Sequence, residues 1–204
     1  MGLIHKITFV PRFIRQVFYL PFNRLMFKPA GASIGSNFNV NNRFYLKLYP
    51  KGTLTIGDDF TIYSGEAINP ITRNIKGCFF INRGANLTIG HNVGMSSPTI
   101  WCDERIVIGN NVRIGALVTI MDTDCHSLKY EDRLNGDKKT KTKPVVIEEG
   151  VLIGAQSIVL KGSHIGAHSV IGAGSVVCGN IPSDCIAAGN PCKVIKKNVR
   201  WKRK

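Results

Sequence analysis

An all-β fold, a parallel β-helix of short strands joined by sharp corners, is what this sequence of 204 residues predicts. Three observations lead there. Ile147, Ile153, Val159, Ile165, Ile171 and Val177 recur at an unbroken spacing of six within the run Val145 to Pro182. Glycine follows directly at Gly154, Gly166 and Gly172, and a small or apolar residue recurs two positions before each later aliphatic, at Val151, Ser157, Ser163, Ser169 and Ser175. Period six suits no α-helix, because 3.6 residues per turn would spread those aliphatics around the cylinder. A strand that alternates in and out and turns a corner every sixth residue does fit, and stacking such repeats builds a continuous core.

Taken in order, residues 1–30 stand apart. Apolar and aromatic side chains interleave there with Lys6, Arg12, Arg15, Arg24 and Lys28, and Pro11 and Pro21 restrict any helix to a short one. This segment is read as a cap over the open end of the β-helix, or as a basic amphipathic contact with a membrane surface. The β-helix domain spans 31–182. Its rhythm starts weakly at Ile34-Gly35 and strengthens at Leu54-Thr55-Ile56-Gly57, with Ile62 and Ile68 following. It returns at Leu87-Thr88-Ile89-Gly90 and Ile106-Val107-Ile108-Gly109, while Asn69 to Phe80 leaves the pattern and reads as a loop or a distorted coil. After Ile120 the phase stops. Residues 122–144 form a charge-rich insertion without regular structure, and a long structureless insertion in a compact repeat fold is usually functional or disordered. Residues 183–204 form a basic extension, with Val194 onward read as a solvated tail of helical leaning.

Net charge is +14, no acidic residue precedes Asp58, and the last dozen residues hold seven Lys or Arg. That balance suits phosphorylated ligands, nucleic acid or an anionic membrane face, and the lack of any helix-turn-helix, zinc-finger or RNA-binding signature argues against nucleic acid as partner. The six cysteines are scattered without a C-x-x-C pair, so the reading is free thiols in a reducing cytoplasm, peripheral at the membrane's inner face if the N-terminal segment touches lipid. No stretch is long and apolar enough to span a bilayer.

Chemistry is sought in Met121-Asp122-Thr123-Asp124-Cys125-His126. Six residues past Ile120 an undisturbed coil would want an aliphatic, and the chain places His126 there. Imidazole is suited to general-base work near neutrality, with Asp122 and Asp124 close enough in sequence to fix its tautomer. Cys125 beside it raises covalent catalysis, but neighbours on an extended chain point to opposite sides.

Several runs together carry a family resemblance: Lys143-Pro144-Val145-Val146-Ile147, Val151-Leu152-Ile153-Gly154-Ala155, Ile171-Gly172-Ala173-Gly174-Ser175-Val176-Val177, and Ala188-Gly189-Asn190-Pro191-Cys192-Lys193-Val194-Ile195. From Gly31 to Lys197 the chain resembles the hexapeptide-repeat acyltransferases, in the maltose/galactoside O-acetyltransferase-like branch that includes polysaccharide O-acetyltransferases. The resemblance implies a left-handed β-helix, a homotrimer with active sites between subunits, and direct acetyl transfer from acetyl-CoA with no metal. Handedness comes from the resemblance alone, since parallel crossovers are normally right-handed. It also implies that His126 is the catalytic base, that Ser96 and Ser97 lie near the reacting centre, and that coenzyme A meets Leu152, Ala155, Ala173, Cys178, Gly179, Lys193 and Lys196. Two positions depart from the pattern: Leu152 replaces a common tryptophan and Gly179 a common lysine. The acceptor read from this is a sugar hydroxyl on a free or lipid-linked polysaccharide precursor; serine, amino sugars and antibiotics stay open. Rival classes are a non-catalytic scaffold and a zinc lyase of the γ-carbonic anhydrase type, for which His5, His91, His164 and His168 are the remaining imidazoles.

Overall fold

The computed structural model describes residue 14 and residues 17–65, 69–137 and 140–198. Its strands form three parallel sheets, the walls of a prism. The first sheet has seven strands, from Ser33–Ile34 to Asn180–Ile181; the third has six, from Tyr45–Leu48 to Val176–Val177. The second has eight, from Asn39–Asn41 to Ile186–Ala188, and ends on Lys193–Lys196, the one antiparallel partner. Each coil visits the sheets in turn. Ile147 pairs with Ile165, three hexads on, and Ile153 with Ile171, so the period read from sequence is the register itself.

All six aliphatics of that run are fully buried. Ser157, Ser163, Ser169 and Ser175 are buried too, and their role is to close corners. Ser157 Oγ donates to Gly154 O at 2.8 Å, and Ser163 Oγ to Leu160 O at 2.6 Å. A hydroxyl at this position satisfies a carbonyl that the turn would otherwise leave unpaired. The glycine after each isoleucine answers a different need. A Cβ on Gly154 would stand 2.4 Å from the backbone nitrogen of Ala173 in the next coil, so close stacking of corners excludes a side chain.

Helical residues 17–27 cover the N-terminal end. Phe27 is fully buried against Phe38 and Phe44, and Asn23 Nδ2 donates to Val40 O and Asn42 O, both at 2.8 Å. One face of the helix thus satisfies carbonyls of the first coil, as a cap must. The opposite face shows Phe18, Phe22 and Leu25 to solvent. Residues 1–13 and 199–204, and with them most of the basic tail, lie outside the described residues, as does Ile68.

Three readings are corrected. Cys78–Ile81 is a third-sheet strand, paired with Tyr45–Leu48 and Thr99–Cys102, so only the segment before it leaves the coil. The sequence masks this because Phe79 and Ile81 point inward without an Ile-Gly corner. Val194 and Ile195 lie in a strand, where pairing with Ile186–Ala188 overrides helical leaning. The insertion at 122–144 has structure of its own, a short helix Tyr130–Leu134 on a two-stranded stalk.

Candidate active site

The insertion leaves the third sheet after Thr119–Met121. Its stalk is pinned by Lys143 N–H to Asp122 O at 2.9 Å, a Thr123–Thr142 bridge, and Asp124 N–H to Lys141 O at 3.1 Å. Beyond the stalk, Ser127 organises the turn. Its N–H donates to Asp137 Oδ1 at 2.6 Å, its hydroxyl to Asp132 Oδ2 at 3.0 Å, and its carbonyl accepts from Arg133 Nη1 at 2.7 Å. The other Asp137 oxygen, Oδ2, meets His126 Nδ1. The Ser127 N–H, and after it the His126 ring, hold the Asp137 carboxyl below its ordinary value, so it is an anion beside the imidazole. An anionic acceptor on Nδ1 keeps the proton there and leaves the lone pair on Nε2. The His126 side chain is 75% exposed, so Nε2 is open to a reactant.

Asp137 was not singled out in the sequence. It lies eleven residues from His126, among several equivalent acids, and no spacing rule selects it. The carboxylates expected to orient the histidine are engaged elsewhere. Asp122 is fully buried and accepts three backbone N–H groups, from Asp103, Glu104 and Arg105, at 2.7 to 2.8 Å. Burial pushes its carboxyl up while these donors oppose the shift. Asp124 pairs with Lys161 at 3.3 Å and ties the stalk to the next coil. Both acids therefore build the platform, and Asp137 aims the ring. Cys125 sits in a left-handed turn at φ 59°, and burial, first among its causes, pushes the thiol up, away from the nucleophilic thiolate.

A groove of about 370 Å³ opens on the outer face of the second sheet. Ser96 and Leu152 line it, with Tyr63, Gly94 and Arg113 between and beside them. Leu152 is 44% exposed on a strand whose next residue, Ile153, fills the core. Ser97 lies elsewhere: it is buried at the following corner, where its Oγ accepts from Gly65 N–H at 2.9 Å. Ala155 and Ala173 stack one coil apart at the corner after this sheet, where Gly174 N–H donates to Ala155 O at 2.9 Å. Lys193 and Lys196 are exposed on the antiparallel strand that ends the same sheet. Cys178 and Gly179 follow Val176–Val177 at the corner after the third sheet, the corner from which the His126 insertion departs in an earlier coil. Predicted residues thus fall into two sets on different edges of one chain. Elsewhere, His164 pairs with Glu148 at 2.7 Å, and His168 with Asp184 at 3.3 Å.

Residues 144–179 match the family model described as bacterial transferase hexapeptide (six repeats). An Escherichia coli K12 protein named "Putative lipopolysaccharide biosynthesis O-acetyl transferase WbbJ" is 32% identical over 161 residues, 76% of this chain and 77% of that protein. The chain belongs to the hexapeptide-repeat acetyltransferases. The galactoside O-acetyltransferase of the same organism is 39% identical over 119 residues, which cover 58% of this chain and 57% of that enzyme's length. Among solved structures, a hexapeptide-repeat acetyltransferase of Vibrio cholerae, complexed with acetyl-coenzyme A, is 27% identical with a TM-score of 0.50, covering 82% of this chain and 70% of that one. A hexapeptide-repeat acetyltransferase is built on the left-handed parallel β-helix, the fold class expected from the resemblance.

Proposed function

We propose that this chain transfers an acetyl group from acetyl-CoA to a sugar hydroxyl in surface polysaccharide biosynthesis, with His126 as general base. The observation that carries the reading is the Asp137–His126 pair, which presents a free Nε2 at the rim of an acetyltransferase fold. Nε2 takes the hydroxyl proton as the sugar oxygen attacks the thioester carbonyl. The tetrahedral oxyanion collapses, expels the thiolate of CoA, and that sulfur takes the proton back from the imidazolium. Base assistance of this kind contributes roughly 10²- to 10⁴-fold. The Ser96 hydroxyl in the groove is the donor assigned to the oxyanion. Leu152, Ala155 and Ala173 offer an open apolar edge to the CoA chain, and Lys193 and Lys196 place point charges for its phosphates.

The site is completed in a homotrimer. His126 and the groove of one chain lie on different walls, so the base of one copy serves the groove of a neighbour. Surface chemistry supports that packing. Outward residues of the first sheet are mostly polar, Thr55, Thr88, His164 and Asn180 among them, with Val107 and Val146 as exceptions. Those of the second and third sheets include Tyr63, Leu152, Phe80, Trp101 and Ile158. Cys178 and Gly179 then meet coenzyme A from the neighbour's edge.

The polysaccharide context rests on WbbJ as a relative and on the N-terminal segment. Phe18 and Leu25 are 58% and 70% exposed on the face away from the first coil, and no acid precedes Asp58. That face meets an anionic membrane where a lipid-linked acceptor resides. No helix among the described residues is long and apolar enough to cross it. The test of function is an acceptor screen with acetyl-CoA, reading thiol release for wild type and His126→Ala. Transfer to a sugar that the variant loses supports the proposal; wild-type turnover in the variant rejects the base.

A further inference from the structure

The groove holds a cation that the acetyl-transfer reading does not use. We propose that Arg113 makes this groove select an acceptor bearing an anionic group, a carboxylate or a phosphate. The proposal rests on the function proposed above and takes the Arg113 end of the groove, away from the Leu152 edge given to CoA, to hold the acceptor.

The Arg113 side chain is seated and clamped. Its strand neighbour in register is Gly94, and a Cβ built there would lie 3.2 Å from Arg113 Cδ and 3.6 Å from Nε. The bare glycine is what lets the arginine stem lie flat along the groove floor. At the far end, Nη1 donates to Asn92 O and to Val112 O, the latter at 3.2 Å, and Nη2 donates to Asn92 Oδ1 at 2.9 Å. Asn92 is itself held, its Nδ2 donating to Asn111 Oδ1 at 2.8 Å. Three of the five guanidinium N–H donors are thereby used. Nε–H and the second Nη2–H remain, side by side on one edge, the fork that matches two oxygens of a carboxylate or phosphate.

Among the described residues no carboxylate forms an ion pair with Arg113, and Asp59, the acid lining the groove, accepts from Asn37 Nδ2 at 2.8 Å. Arg113 stands between Gly94 and Leu152 on adjacent strands, its guanidinium lies over Gly94 beside Asn92, and Ser96 and Tyr63 line the same groove. An anion on the sugar would be gripped there while a neighbouring hydroxyl meets the reacting centre. The overall charge of +14 raises the local concentration of such acceptors.

The test compares methyl galactoside, methyl galacturonoside and galactose 6-phosphate as acceptors, with acetyl-CoA as donor, for wild type, Arg113→Gln and Arg113→Lys. The last two sugars separate carboxylate from phosphate. Wild type should prefer one acidic sugar over the neutral one by roughly 10- to 100-fold in kcat/KM, the worth of a charge-assisted fork. Arg113→Gln should erase that preference through a KM raised more for the acidic sugar than for the neutral one, with no rise in the KM for acetyl-CoA. Arg113→Lys should restore part of it, since it keeps the charge without the fork. Equal loss on all sugars would assign Arg113 to the oxyanion or the fold, and a raised KM for acetyl-CoA would assign it to CoA phosphate; either overturns the proposal, as does a wild type without preference. Calorimetric titration of the two acidic sugars into wild type and Arg113→Gln separates this from the reading of function. If no sugar turns over, that reading fails, while binding lost in the variant still upholds the anion site and equal or absent binding rejects it.

Discussion

Replacing Asp122 by alanine should destabilise the fold and leave the chemistry largely intact. The carboxylate is fully buried and holds three backbone N–H groups of Asp103, Glu104 and Arg105 at 2.7 to 2.8 Å, which fixes the corner where the insertion leaves the coil. Hydrogen bonds to a charged partner contribute roughly 1.5 to 3 kcal/mol each. The lower end applies, because Glu104 and Arg105 are exposed and water can reach their amides, and because burying the anion offsets part of the gain. A net loss of about 3 kcal/mol follows. For a chain of this size each kcal/mol moves Tm by roughly 2–4 °C, so Tm should fall by about 6–12 °C. The assay is thermal unfolding followed by circular dichroism at one fixed protein concentration, since assembly makes Tm concentration-dependent. Acetyl transfer at 25 °C, per folded protein, should stay within a few-fold of wild type. A variant with unchanged Tm and abolished transfer would refute the reasoning and return Asp122 to the catalytic machinery.

Three further outcomes are expected. Asp137→Asn should lower kcat by about 10²- to 10⁴-fold with little change in KM, because an amide in place of the carboxylate favours the wrong tautomer of the general base. Because Asp137 is held below its ordinary 3.8, it stays ionised at working pH; in wild type, kcat/KM should rise with pH through a single-proton limb, and a two-proton limb would mean that Asp137 titrates with the ring. Gly154→Ala should destabilise by about 1–3 kcal/mol in urea unfolding, because its methyl meets the next coil's backbone; an unchanged midpoint would show that the corners can part. Phe27→Ala should cost about 3–5 kcal/mol by opening the cap over Phe38 and Phe44, and an unaltered urea midpoint would contradict the capping role.

The architecture was legible because its physics is local and repeated. A six-residue beat of buried aliphatics, corner glycines and corner serines states strand length, corner position and register at once. Where one signal was missing, as at Cys78–Ile81 without its Ile-Gly corner, the strand went unread. His126 was legible as a polar residue on an aliphatic beat. Its partner was not: Asp137 reaches the ring only because Ser127 folds the insertion back, a contact set by tertiary geometry. Asp122 misled for the same reason, since nearness in sequence placed it beside the histidine while the corner amides of residues 103–105 turned it inward. Arg113 carried no sequence signal, because its seat on Gly94 exists only across two coils.

The central claim is that one chain's His126 works on the groove of a neighbouring chain, and mixing two inactive variants tests it most directly. His126→Ala removes the base, and Ser96→Trp fills the groove; light scattering first establishes that each alone and the refolded mixture are trimers. At equal proportions, random assembly makes about a quarter of the sites pair an intact base with an intact groove. The account predicts recovery of about a quarter of wild-type transfer from two preparations that have almost none. Mixed trimers without any recovered activity would contradict it.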